Sequence, residues 1–208
     1  MAAFEPYRTG GDWPPIELFP ENFRLNFQIN HYNHTTKKLE PWRNATGYQL
    51  IDSDGNRELV VLQMMREGKL MNVSMYLDCE KGETTYKIPD KDYCVEQDWK
   101  ISFNLRDMLD EIKDPGSGVT RYRGIVKVPY SKLELHQFEV NVIVGPFTSR
   151  HNLYYDKKTK NLRYITTEGH SFIYCTKGNE ERSFSDKDFA GYTECDGEEG
   201  CLDESPSQ

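Results

Sequence analysis

Residues 46–79 constrain the fold more than any other part of the chain, because three apolar stretches there are separated by two short turns. In the third stretch apolar residues occupy every second position, a period typical of a β-strand that buries one face. The turns contain the runs Asp-Ser-Asp-Gly-Asn and Arg-Glu-Gly-Lys, which favour hairpins. The segment therefore predicts a three-stranded antiparallel meander whose apolar face needs either a cover or a ligand.

The same alternation recurs along the chain and predicts about nine or ten strands. It is clearest at residues 23–31 and 136–144. Apolar residues at helical spacing predict one α-helix over residues 102–113, which Pro115 and the following glycine end. We therefore expect a mostly β fold: a strongly curved antiparallel sheet, or half-barrel, with one covering helix.

Composition divides the 208 residues into three expected regions. Residues 1–20 hold four of the ten prolines and are predicted to form an extended arm, in which Ile16, Leu18 and Phe19 contact the body. Residues 21–195 are predicted to form a single β domain, because a chain of this length can bury one substantial core. Residues 196–208 are acidic and poor in apolar side chains, which is typical of a mobile tail.

The charge pattern argues against two classes of partner. The net charge is −8 and no Lys/Arg run exceeds two residues, so we expect neither nucleic acid nor an anionic membrane surface. No apolar run approaches a length of about 18 residues, so no transmembrane segment is predicted. The first 15 residues also lack the apolar core of a signal peptide, which by itself would indicate the cytosol.

Cysteines and glycosylation sequons favour the secretory pathway instead. Five cysteines are present, and none forms a CxxC pair or has a neighbouring His at zinc-ligand spacing. Three N-x-S/T sequons make Asn33, Asn44 and Asn72 candidate glycosylation sites. We therefore expect a secreted protein that has lost its leader, with disulfides among Cys79, Cys94, Cys175, Cys195 and Cys201.

Connectivity does not follow from sequence, and several pairings stay open. We favour a core bridge formed among Cys79, Cys94 and Cys175. Cys195 or Cys201 would then tie the tail to the domain or pair with another chain.

Catalytic and metal-binding motifs are missing from the sequence. There is no G-x-S-x-G, no phosphate loop and no H-E-x-x-H, so a non-enzymatic protein without a cofactor is predicted. A Cys–His pair or polar triad that meets only in space would escape such a search. Residues 52–58 resemble the start of a calcium loop, but Gln63 stands where the final Glu is needed, and a hairpin turn is the better interpretation.

Alternating apolar side chains are expected to line one concave face, which a helix of about ten residues covers only in part. Either a second layer packs this face dry, as in an ordinary sandwich, or an apolar cavity remains. The methionines favour the cavity because they adapt to irregular surfaces, although Met also fills cores. The predicted pocket residues are Leu25, Phe27, Ile29, Tyr48, Leu50, Met71, Val73, Met75, Leu105, Met108, Leu109, Phe138, Val140 and Val142.

Three segments carry a resemblance to a known family. The stretch YQLIDSDGNRELVVLQMMREGKLMNVSMYLDCEKGE is similar to ependymin-related proteins and to animal secreted LolA-like domains. The run YRGI at residues 122–125 resembles their V-R-G-I segment, and NLRYI at residues 161–165 resembles their P-L-R-I segment. Two departures are Asn161 in place of the Pro and Tyr130 in place of a Trp.

The resemblance implies a half-barrel closed by a helix around an apolar pocket for lipid-like ligands. It also implies a secreted or lysosomal protein without catalysis, and links to calcium or dimers in some ependymins. The leading hypothesis is thus an extracellular carrier of a hydrophobic small molecule such as a fatty acid. The alternatives are a structural or interaction module of a larger secreted protein, possible also as a homodimer, and an unrecognised hydrolase.

Overall fold

The computed structural model describes residues 13–144, 147–168 and 171–195, and its main feature is one sheet of eleven strands. Two short α-helices and a 3₁₀ turn accompany the sheet. The strands are β1 (Asn22–Asn33), β2 (Lys38–Asp52), β3 (Arg57–Arg66), β4 (Lys69–Asp78), β5 (Glu83–Ile88), β6 (Tyr93–Asp98), β7 (Thr120–Val126), β8 (Leu135–Val144), β9 (Phe147–Asp156), β10 (Leu162–Thr167) and β11 (Phe172–Glu181). The helices are α1 (Leu105–Lys113) and α2 (Asp186–Phe189), and the 3₁₀ turn is Pro89–Lys91.

The strand order is β6-β5-β4-β3-β2-β1-β11-β10-β9-β8-β7. The first and last strands therefore pair at the centre, and each half of the sheet runs outward from them as a meander. Every pairing is antiparallel. The sheet is not closed, because β6 and β7 lie at its two edges. The predicted mostly β, antiparallel fold is confirmed.

Helix α1 begins where its sequence supplies a cap. The side chain of Asn104 accepts hydrogen bonds from the backbone N–H groups of Arg106 and Asp107, and so satisfies donors that the first turn leaves free. The helix ends at Lys113, two residues before Pro115. It thus matches the predicted helix apart from a later start. A second contact fixes its position, since the Leu105 N–H donates to Asn56 Oδ1 in the β2–β3 turn at 2.8 Å.

We call the side of the sheet that α1 covers the helix face. On this face one group of buried residues, which we call the capped cluster, joins the helix to the sheet. Leu109 and Ile112 of α1 pack there with buried side chains of β1, β2, β8, β9 and β10. Ile16 and Leu18 from the segment before β1 complete this cluster, as the sequence predicted. The centre is dry, since Phe138 is fully buried. The capped cluster is the principal core.

The opposite side, the tail face, is covered by residues 182–195. Their anchor is Phe189, which is fully buried against Leu50, Leu59 and Tyr76 in what we call the tail cluster. Arg57 lies over the Phe189 ring at 4.1 Å and pairs with Asp186. Phe189 and Asp186 therefore anchor this segment to the sheet.

One disulfide fastens this segment, and it corrects the predicted connectivity. Cys94 on β6 bonds to Cys195 across a separation of 101 residues. The favoured core bridge among Cys79, Cys94 and Cys175 is wrong, because Cys79 and Cys175 are free thiols. Cys79 is fully buried, and Cys175 accepts a hydrogen bond from Asn30. The tie from Cys195 to the domain is confirmed, and Cys201 lies outside the described residues.

The sequence underestimated the sheet. Strand β6 was missed, because Tyr93–Asp98 carries no alternation strong enough to separate it from a loop. Strand β2 also begins well before residue 48, and it includes a bulge at Arg43 and Asn44, both with positive φ. Bulged, half-polar strands of this kind take their identity from their neighbours in the sheet rather than from local pattern.

Candidate functional site

The helix face continues past the capped cluster into a second apolar group, the open cluster. In it no helix or loop of the described chain contributes an apolar side chain, because every member comes from a strand. The members are Phe27, Ile29, Trp42, Ala45, Leu62, Met64, Met71, Val73, Tyr86, Ile88, Phe172 and Tyr174.

Strand register shows that the open cluster is a set of aligned rows. Gly47 of β2 lies opposite Leu62 of β3, which lies opposite Val73 of β4. The neighbouring row, nearer α1, runs from Val60 through Met75 to Tyr86 on β5. Directly opposed residues of antiparallel strands project to the same side, so these rows share one apolar surface.

Beside the buried members of the open cluster, the neighbouring row contains one exposed residue. Met75 is 37% exposed, whereas Met64, Met71 and Val73 are exposed by 8–9%. Apolar side chains left accessible in a contiguous group mark binding surfaces more often than isolated exposed residues do. The open cluster, together with the row of Met75, is the candidate functional site.

Aromatic rings form one border of the site. Phe27 of β1 packs edge-on against Tyr174 of β11 with 5.6 Å between the ring centroids, and Trp42 packs against Phe172 at 4.7 Å. Gly47 makes room for this border, because a Cβ there would lie 3.0 Å from the Phe27 ring and 2.2 Å from the Val61 carbonyl oxygen. The glycine is thus required by close approach, and it keeps β2 and the ring in contact.

A polar pair lies between the capped and open clusters. Gln49 Nε2 donates to Glu58 Oε1 at 2.7 Å. Register places both side chains on the helix face, since Gln49 is opposite Val60, and Glu58 lies between Ile51 and Leu77. Burial raises the pKa of the Glu58 carboxyl, although the hydrogen bond from Gln49 opposes this shift. The sequence analysis missed this pair. It could have been found because Gln49 and Glu58 are polar residues at positions that the alternation assigns to the apolar face.

The predicted pocket residues divide into separate groups. Leu25, Met108, Leu109, Phe138, Val140 and Val142 belong to the capped cluster, and Leu105 is buried at the start of α1. Phe27, Ile29, Met71 and Val73 belong to the open cluster, and Met75 lies in its exposed row. The structure therefore brings together the strand residues of the open cluster, while the helix residues fill the packed core.

Two predicted pocket residues lie on the wrong side. Tyr48 and Leu50 face the tail, where Leu50 is buried with Phe189. Their partners on β1 are Asn26 and Arg24, not Leu25 or Phe27. The alternation of β2 was assigned correctly as a period of two, but its phase was wrong, because both faces of this strand carry apolar residues.

A polar cavity of about 670 Å³ opens on the tail face. Its walls include the carboxylates of Asp78, Glu83, Glu96 and Asp98, with Lys81 at the edge. The described residues contain no group of three or more His, Cys, Asp or Glu side chains arranged to hold a metal ion. This cavity is therefore chemically unlike the apolar pocket that the sequence predicted.

The three sequon asparagines lie away from the open cluster's interior. Asn44 is exposed in the β2 bulge. The side-chain amide of Asn33 is already hydrogen-bonded, because it donates to Glu40 and accepts from the N–H groups of Thr35 and Thr36. Asn72 lies on the tail face, bonded to Gln63. Glycosylation stays a prediction, with Asn44 the most accessible acceptor.

The sequence matches no protein-family model, and no curated protein matches it. Among the described residues, no helix combines the length and apolar character needed to cross a membrane.

Proposed function

We propose that this protein binds a hydrophobic small molecule, such as a lipid or a fatty-acid-like chain, on the open cluster. The observation that carries the proposal is the composition of that cluster: twelve apolar side chains from six strands, with no member from a described helix or loop, beside an apolar row in which Met75 is 37% exposed. A ligand would supply the missing layer.

The energetics of such a ligand are favourable without special polar chemistry. An alkyl chain of about 12 carbons gains roughly 10 kcal/mol at about 0.8 kcal/mol per buried methylene, before the costs of association. Met64, Met71 and Met75 suit a flexible chain, because an unbranched thioether side chain adapts to irregular shapes. The flanking rings of Trp42 and Phe172 would bound the chain on one side.

The wider proposal is an extracellular, non-catalytic carrier of the LolA-like or ependymin-related type, with the sheet curved into a half-barrel around its ligand. The Cys94–Cys195 disulfide supports an oxidising compartment. The partly covered antiparallel sheet with one helix supports the architecture.

The test is displacement of the neutral dye Nile red, together with native mass spectrometry of the purified protein for co-purified lipid. Met75→Glu places a charge in the exposed row and is expected to weaken dye binding at least tenfold. Leu133→Glu is the matched control, because Leu133 is also 37% exposed but lies in the loop before β8.

Two results would oppose the proposal. If neither bound lipid nor displaceable dye is detected, the protein is not a carrier. If the wild type forms a dimer that Met75→Glu disrupts, the open cluster is a protein interface, and the interaction-module alternative is favoured.

A further inference from the structure

We propose that the open cluster selects a single-chain amphiphile with a positively charged amine head, which Glu58 binds while the chain lies along the rows of β3 and β4. The inference rests on the proposed function, because it concerns the same surface. It adds the chemical class of the ligand and the residue that recognises it.

Position is the first argument. Glu58 lies on β3 in the row of Ile51 and Leu77, and the next row of the same face begins with Val60 and Met75. The carboxyl group is thus at the end of the apolar rows nearest α1, and Glu58 as a whole residue is only partly buried. An amphiphile whose head meets Glu58 places its chain directly on Val60, Leu62 and Met64.

Unsatisfied bonding capacity is the second argument. Within the described chain the Glu58 side chain accepts one hydrogen bond, from Gln49, and no described Lys or Arg forms an ion pair with it. A carboxylate in apolar surroundings with one neutral donor gains strongly from a cation. An ammonium head supplies that cation and further N–H donors.

Charge complementarity is the third argument. From the row of Ile51 to the Met64–Met71 pair, Glu58 is the one acidic or basic residue that β2 to β5 direct to the helix face. The cations that border this face lie far from Glu58: Arg66 and Lys69 at the β3–β4 hairpin, and Arg43, whose guanidinium is 4.9 Å from the centroid of the Trp42 ring. Arg66 is about 26 Å from Glu58 at strand spacing, beyond the reach of a twelve-carbon chain. A carboxylate head beside Glu58 would be repelled.

The experiment compares three ligands with the same chain at pH 7.4: dodecylamine, dodecanol and dodecanoate, each displacing Nile red below its micelle concentration. The wild type is expected to bind dodecylamine at least tenfold more tightly than dodecanol, with dodecanoate weakest. Glu58→Gln is expected to remove the preference for the amine over dodecanol. Glu83→Gln, which neutralises an exposed carboxylate on the tail face, is the control and should behave as the wild type.

The outcomes separate the two proposals. If dodecanol binds and the amine has no advantage, the head-group inference is wrong and the carrier function stands. If dodecanoate binds most tightly and Arg66→Gln weakens it, the head lies at the hairpin end and the inference is also wrong. If none of the three displaces the dye, the carrier function itself fails. The wild-type ranking decides the inference even if Glu58→Gln is too unstable to measure.

Discussion

The capped and open clusters lie on the same face of the same sheet, yet only one of them is closed. Both are built by alternating apolar residues of adjacent strands, and β1 contributes to each, with Leu25 in the capped cluster and Ile29 in the open one. The difference is the second layer, since Leu109 and Ile112 of α1 and two residues of the segment before β1 reach only the capped end. Alternating apolar residues therefore give each strand an apolar face. Whether that face becomes core depends on whether α1 and the segment before β1 pack against it.

The largest expected effect comes from truncating the closed end. Phe138→Ala is expected to lower the free energy of unfolding by about 4 kcal/mol, because a fully buried ring leaves a cavity under α1. Met71→Ala in the open cluster should cost about 2 kcal/mol, because the methionine side chain is smaller than the ring and is 8% exposed, whereas Phe138 is fully buried. Urea denaturation followed by tryptophan fluorescence measures both.

Ligand binding should show the reverse order. Met71→Ala is expected to weaken Nile red binding more than Phe138→Ala does. Equal losses of stability, with equal effects on the dye, would mean that the two clusters are one continuous core.

The second expected effect concerns the tail face, which is closed by a covalently tied segment. Cys195→Ser is expected to cost about 3 kcal/mol, because the Cys94–Cys195 bond restrains the unfolded chain over 101 residues of sequence. Releasing residues 182–195 should also expose Leu59 and Tyr76, and so convert the tail cluster into a second open surface that binds the dye ANS. Cys175→Ser, which changes a free thiol, is the matched control and should leave both readouts nearly unchanged.

Much of the fold followed from local pattern, and its exceptions have physical causes. The cap and the apolar positions of α1, the three-strand meander and the burial of Phe189 are all local consequences of residue type and spacing. Local pattern did not decide which residues of β2 face which side of the sheet. Tyr48 and Leu50 give one face apolar side chains, and Ile51 gives the other face an apolar side chain. Only pairing with β1 and β3 decides which side each set occupies.

The site was predicted in part for the same reason. The strand residues Phe27, Ile29, Met71 and Val73 were identified correctly as members of one face. Trp42 and Phe172 were missed, because they come together only when the ends of the chain pair at the centre of the sheet. The same dependence on distant contacts explains the wrong disulfide, since Cys94 and Cys195 meet only after the tail has crossed the sheet.

The third expected effect is on the cover itself. Asn104→Ala is expected to lower the free energy of unfolding by about 1 kcal/mol, because two N–H groups of the first turn of α1 lose their acceptor. Asn104→Ser should retain most of the stability, since a serine hydroxyl can cap the same groups. Hydrogen exchange would locate the change at α1, with protection of the open cluster strands unaltered. Loss of protection spread evenly over the whole sheet would show that the cover does not act on the capped end alone.

The smallest expected effect is on the pH dependence of stability, to which His136 and Glu58 contribute with opposite signs. At the capped end, burial and the positive charges of Lys160 and Lys157 lower the pKa of His136, whose Nδ1 is 2.8 Å from the Tyr122 hydroxyl. The unfolded chain then binds a proton before the folded one does, so stability is lost as pH falls below about 6.5. His136→Gln should remove that loss.

At Glu58, between the capped and open clusters, the sign is reversed, because the pKa of this carboxyl is raised in the folded state. The folded protein binds the proton first, so this carboxyl adds stability as pH falls from neutrality towards the ordinary range of about 4.3. Glu58→Gln should therefore steepen the acid loss that His136 causes, whereas His136→Gln should flatten it. Thermal unfolding between pH 7.5 and 5 distinguishes the variants, and slopes that change in the same direction would contradict the opposite effects of these two groups on stability.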